Sequence, residues 1–159
     1  MTRLLFVCLG NQCRSPMAEY LMKDMIYRLK LDQDFYVESA GTIKGITGRP
    51  VFIPAKQVLN DHGIDCSDHF ARSVIRKDYD YFDYIVCMDR NNINAVKTIT
   101  GGDPLGKICL LMSFPEAKGD EIADPMITND YDQAYKDIVY ACRMLLCKLM
   151  EGAESGYDI

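Results

Sequence analysis

Cys8 and Arg14 bracket five residues, Leu9-Gly10-Asn11-Gln12-Cys13, and Ser15-Pro16 follow at once. The cysteine ends an apolar run, Leu4-Leu5-Phe6-Val7, that reads as a buried strand. Pro16 suits the first turn of a helix, where its missing N–H would have had no partner anyway. A sulfur, a loop of backbone N–H donors, a planar cation and a helix N-terminus therefore converge on a volume the size of one phosphate. Only the thiolate attacks, and each of those neighbours favours it over the thiol. Gly10 is expected to take a backbone conformation closed to other residues, so that successive N–H groups turn inward as an anion nest. Arg14 can hold two phosphate oxygens in a fork and follow charge into the equatorial plane of the transition state. Ser15 can donate a hydrogen bond to the sulfur and ease its departure. The combination suits nucleophilic attack on a phosphoryl group.

The leaving oxygen also needs a proton. Asp124 stands before Pro125, which pushes it towards an extended backbone on a loop, a posture that lets a carboxyl reach over a site. Taken singly these signals are weak. A cysteine at a strand end is more often a core residue, Asp124 alone is more often a turn residue, and Cys13 alone is more often packed in its loop. The strand before Cys8, Gly-Asn inside the loop and Ser-Pro after it reverse the balance. Two cysteines in one small loop also allow an internal disulfide that parks the nucleophile under oxidation.

The elements that must position these residues alternate. Strand patterns cover Arg3 to Cys8, Phe35 to Ser39, Phe82 to Met88 and Lys107 to Leu111. Helical spacing covers Pro16 to Lys30, Pro54 to His62, Ile75 to Tyr81, Asp89 to Lys97 behind an Asp cap, and Asp130 to Met150. Four short strands alternating with helices predict one α/β domain, a four-stranded parallel sheet with helices on both faces. Ligands bind such sheets beyond the carboxyl ends of the strands, where Cys8 lies. Stretches 40–53 and 112–128 read as long loops that wall the site. We place the domain at residues 1–151 and expect residues 152–159 to fray.

Composition narrows the class. A chain of 159 residues with 48% hydrophobic and 26% charged residues fits one ordinary globular domain. No apolar stretch approaches the ~20 residues of a membrane span, and no secretion signal is legible, so a cytoplasmic location is expected. A net charge of -5 with scattered Lys and Arg argues against nucleic acid, and the positive potential for a phosphate must be local. Seven cysteines in mostly apolar contexts suit a reducing compartment. Neither His62 nor His69 has a paired C-x-x-C, so no metal and no other cofactor is expected.

The chain resembles the low-molecular-weight protein tyrosine phosphatase family over most of its length. The resemblance rests on Val7-Cys-Leu-Gly-Asn-Gln-Cys-Arg-Ser-Pro16, Glu38-Ser-Ala-Gly-Thr42, His69-Phe-Ala-Arg72, Phe82-Asp-Tyr-Ile-Val-Cys-Met-Asp89 and Ala123-Asp-Pro125. It implies a flavodoxin-like sheet, Cys8 as the nucleophile that forms a phosphocysteine, Arg14 as the phosphate clamp, and Asp124 as general acid and then base. Asn11, Ser15, Ser39 and His69 resemble the network that holds the loop in shape. Implied substrates are phosphotyrosine proteins, with a tyrosine kinase as counterpart.

Three positions depart from the family pattern. Gln12 stands where a small aliphatic residue is usual, Met126-Ile127 replace an aromatic pair after Asp-Pro, and Ile43-Lys-Gly45-Ile46 replace another aromatic wall. Aliphatic pocket walls, including Gly45, Met126 and Ile127, are therefore expected. A polar Gln12 keeps a phosphoarginine phosphatase open as an alternative, since family members of that kind carry threonine there. Arsenate reduction would need further cysteines in a mobile segment, and the position seven residues after Cys87 is Asn94. An inactive phosphate-binding module would have lost Cys8 or the acid, and both are present.

Overall fold

A computed structural model describes residues 1–114 and 121–154. Four parallel strands, β1 (Thr2–Cys8), β2 (Phe35–Gly41), β3 (Tyr84–Cys87) and β4 (Ile108–Leu110), form one sheet in the order β2-β1-β3-β4. Among the described residues six helices accompany them: α1 (Arg14–Arg28), α2 (Ile53–Asp61), α3 (Asp78–Tyr81), α4 (Arg90–Thr100), α5 (Pro125–Thr128) and α6 (Tyr131–Glu154). The expected α/β architecture is the one observed.

β1 runs through the middle because it is apolar on both faces. Leu4, Phe6 and Cys8 join a core with Met17 and Met22 of α1 and Ile138 and Leu145 of α6. Leu5 and Val7 point the other way, into a second core with Ile85, Phe82 and Val96 of α4. Each such fully buried Leu or Phe contributes roughly 1.5–3 kcal/mol relative to exposure. Two cores thus grip the strand whose last residue is Cys8.

Several boundaries differ from those the residue pattern predicts. α1 opens at Arg14 rather than Pro16, because the Met17 N–H already reaches the Cys13 carbonyl at 3.0 Å. β2 extends to Gly41, which pairs with Cys8 in the parallel register. The helix expected from Ile75 starts only at Asp78, whose carboxylate turns back to accept from the Ile75 N–H. β4 is cut to three residues by a 3-10 turn over Leu111–Ser113. Within the expected 112–128 loop, Asp124 caps the short α5; residues 115–120 lie outside the described residues. α6 continues to Glu154, past the proposed domain edge, and 155–159 of the proposed tail lie outside the described residues.

Burial holds several thiols in the neutral form. It pushes Cys109 up to about 12 from an ordinary 9.0, and raises Cys87 and Cys142 as well. The unfolded chain ionises these thiols near pH 9.0 while the fold keeps them protonated, so their contribution to stability is whole below that pH and is lost as pH rises towards 12. The melting temperature should therefore fall between about pH 8 and about pH 10, and fall less in Cys142→Ala. Equal falls in parent and variant would remove Cys142 from this account.

Candidate active site

The loop after β1 and the start of α1 form the floor of a pocket of about 230 Å³ at the carboxyl end of the sheet. Cys8, Arg14 and Asp124 all line it, although 110 residues separate the last two. Leu9, Gly10, Gln12, Cys13 and Met126 line it too. Asn11 and Ser15 lie beneath, fully buried. Gly45 and Ile127 do not line the pocket; Ile127 is 85% exposed, and Gly45 occupies an open left-handed turn. Ile43 and Phe52 stand in the wall instead.

The loop turns at Asn11, not Gly10. Asn11 adopts the left-handed conformation with φ of 53°, whereas Gly10 has no positive φ and a Cβ there would meet nothing within 4 Å. Asparagine tolerates this conformation when its side chain is satisfied locally. Here the Asn11 Nδ2 donates to Ser15 Oγ and to Ser39 Oγ, both at 2.9 Å, and its Oδ1 accepts from the Arg72 N–H at 3.0 Å. The backbone of Asn11 is held as well. Its carbonyl accepts from His69 Nε2 at 2.8 Å, which sets the tautomer, and its N–H points at Cys8 Sγ at 3.3 Å.

The network continues in both directions. Ser15 Oγ lies 2.9 Å from Cys8 Sγ; with Asn11 donating to that oxygen, its own proton can turn to the sulfur or, at the longer distance of 3.5 Å, to the Ala40 carbonyl. Ser39 Oγ donates a hydrogen bond to Glu19, a buried carboxylate also paired with Lys23. Arg72 is locked by a two-pronged pair with Asp78 and a contact to Glu38. Ser39 and His69 thus sit where they can hold the loop, and Glu19 and Arg72 brace them from behind.

Arg14 is 3% exposed and held from one side. Its Nη1 donates to Asp89 Oδ2 and to the Ile122 carbonyl, each at 2.8 Å. Asp89 Oδ1 meanwhile accepts from the Asn92 N–H and caps α4, so one carboxylate serves both helix and arginine. Arg14 Nη2 stands 3.6 Å from Asp124 Oδ2. The other oxygen of Asp124 accepts from the Met126 N–H at 3.0 Å, which aims Oδ2 inward. Cap signals made Asp89 visible in the sequence, but nothing local revealed its bond to an arginine 75 residues away.

Cys13 occupies the N-cap position of α1 and supplies no side-chain hydrogen bond there. The first amides of the helix are thus left for an anion. Burial, and the nearby sulfur of Cys8 and carboxylate of Asp124, push the Cys13 thiol up to about 12. Cys13 is a neutral neighbour to Cys8 across the physiological range. A second cavity of about 630 Å³ lies behind the network, lined by Glu19, Ser39 and His69, and includes none of Cys8, Arg14 or Asp124.

The pocket wall is not aliphatic throughout. Phe52, 38% exposed, presents a ring to it, with Tyr131 behind at 6.4 Å between ring centres. Sequence reading missed Phe52 because the loop pattern placed the wall at Gly45, seven residues earlier.

Residues 3–155 match the model of the low molecular weight phosphotyrosine protein phosphatase family. The low molecular weight protein-tyrosine-phosphatase YfkJ of Bacillus subtilis is 32% identical over 152 residues, covering 95% of this chain and 97% of that protein. The human low molecular weight phosphotyrosine protein phosphatase is 36% identical over 154 residues, covering 91% of this chain and 94% of that protein. The crystal structure of YfkJ superposes with a TM-score of 0.92 over 96% of each chain. On sequence, fold and extent alike, the chain belongs to the low molecular weight phosphotyrosine protein phosphatase family.

Proposed function

We propose that this protein hydrolyses phosphotyrosine in proteins through a phosphocysteine intermediate. The observation that carries the proposal is the single pocket shared by Cys8, Arg14 and Asp124, with Ser15 Oγ 2.9 Å from the sulfur. The Cys8 thiolate attacks phosphorus in line, forming the S–P bond as the bond to the aryl oxygen breaks. Asp124 gives its proton to the departing phenolate through Oδ2. Arg14, pinned through Nη1, turns its remaining N–H groups to the equatorial oxygens beside the loop amides. In the second step the Asp124 carboxylate takes a proton from water, the water oxygen bonds to phosphorus, and the S–P bond breaks. Ser15 stabilises the returning thiolate, and phosphate leaves with Asp124 again protonated.

The competing readings have less support. Gln12 Nε2 donates to the Pro50 carbonyl at 3.2 Å, which ties the side chain to the wall segment, and only its Oε1 could accept from a phosphoarginine guanidinium. Cys87, the first position an arsenate relay would use, is fully buried and its thiol is raised well above 9.0. A cytoplasmic site of action, opposite a tyrosine kinase, suits the free cysteines. Among the described residues, no helix is long and apolar enough to cross a membrane.

Cys8→Ser should abolish turnover and leave phosphate binding measurable by calorimetry; substantial residual turnover would sink the mechanism. Asp124→Asn should slow aryl phosphates with poor leaving groups by about 10²–10³-fold and good ones much less, because only the former need the proton. A uniform loss across leaving groups would contradict the acid role. Given phosphotyrosine and phosphoarginine peptides side by side, the enzyme should release phosphate faster from phosphotyrosine. The reverse preference would transfer the substrate assignment to phosphoarginine.

A further inference from the structure

The floor of the pocket reads only an anion, because the loop amides and Arg14 meet phosphate oxygens whatever carries them. Discrimination of an aryl group must therefore come from the wall. Among the described residues lining the pocket, Phe52 supplies the one aromatic ring, while Leu9, Ile43 and Met126 are flexible aliphatic or thioether side chains.

The segment that carries Phe52 is held to the floor at two points. The Gln12 side chain donates through Nε2 to the Pro50 carbonyl at 3.2 Å, and the Phe52 N–H donates to the Gln12 carbonyl at 2.9 Å. The second bond turns the Gln12 carbonyl away to the wall. Pro50 and Pro54 stiffen the segment on either side, and Val51, 3% exposed, anchors it in the core. Behind the ring stands Tyr131, whose hydroxyl donates to Met126 Sδ at 3.5 Å across the mouth. The departures at Gln12, Gly45 and Met126 are thereby connected: the wall has moved to Phe52, and Gln12 is its strut.

We infer that Phe52 is the aryl-specificity residue of this enzyme, the plate against which the substrate ring stacks, and that Gln12 positions it. This rests on the phosphotyrosine reading for its biological meaning, and its test does not depend on turnover. Benzylphosphonate carries a ring and a tetrahedral anion and is not hydrolysed; inorganic phosphate carries the anion alone. Measured by calorimetry, Phe52→Ala should weaken benzylphosphonate about tenfold and leave phosphate within about twofold, and Phe52→Trp should restore the loss. Gln12→Leu should weaken benzylphosphonate about threefold and add nothing in the Phe52→Ala background. Unchanged benzylphosphonate affinity in Phe52→Ala would overturn the assignment. An equal loss of phosphate would also overturn it, because the residue would then be shaping the floor. Losses that add in the double variant would detach Gln12 from Phe52. A parent enzyme that binds benzylphosphonate in this way yet does not hydrolyse phosphotyrosine would refute the substrate reading and leave the plate standing.

Discussion

The shape of the phosphate loop depends on the side-chain amide of Asn11. That amide is fully buried, and it is bound to Ser15 beneath the sulfur, to Ser39 in the sheet and to the backbone of Arg72. Leaving one such buried group unpaired costs about 1–3 kcal/mol, comparable to the strain of holding a residue in a sparsely populated conformation. The bonds therefore offset a left-handed turn that few side chains tolerate. The same residue aims its own N–H at Cys8 and its carbonyl at His69, so backbone direction and the surroundings of the sulfur are set together. Ser15 is the link: the hydroxyl that accepts from Asn11 lies 2.9 Å from the sulfur and can donate to it.

A second constraint fixes the cation. A protein with net charge -5 binds a doubly charged anion only if its positive potential is concentrated at one place. Arg14 is buried at the start of α1, and Asp89 and the Ile122 carbonyl hold one nitrogen of its fork. A buried guanidinium without such partners would carry a large desolvation cost, so Asp89 makes the placement possible as well as rigid. Because Asp89 also caps α4, the arginine's position is tied to the end of β3 and the start of the helix after it.

The architecture was legible in the sequence because its signals are local and redundant: four apolar runs, helices between them, and a Cys-Arg loop directly after the first run. The three residues of the proposed chemistry were legible for the same reason, each sitting at a strand end, a helix start or a residue before proline. What escaped was of two kinds. Gly10 was expected to supply the left-handed turn because glycine needs no help to adopt it, whereas Asn11 needs partners from residues 39 and 72 that only the fold brings near. Phe52 and the bond of Asp89 to Arg14 escaped because they depend on contacts across many residues, which no spacing rule encodes.

This difference between floor and wall has a physical origin. The proposed chemistry requires the floor to surround a tetrahedral anion and then a trigonal-bipyramidal one, a geometry set by phosphorus, so few residue types satisfy it and they stand close together in sequence. The wall needs only a flat apolar surface at the right height, and any segment that can be stiffened beside the mouth can provide one. Here Gly45 and Met126 withdraw the aromatic groups from the usual places, and the segment between Pro50 and Pro54 supplies another. Its attachment runs through Gln12, a residue of the phosphate loop itself, so the wall is referenced to the floor rather than to the outer surface. On the proposed reading, a change of residue at that one loop position alters which group the pocket accepts without moving Cys8, Arg14 or Asp124.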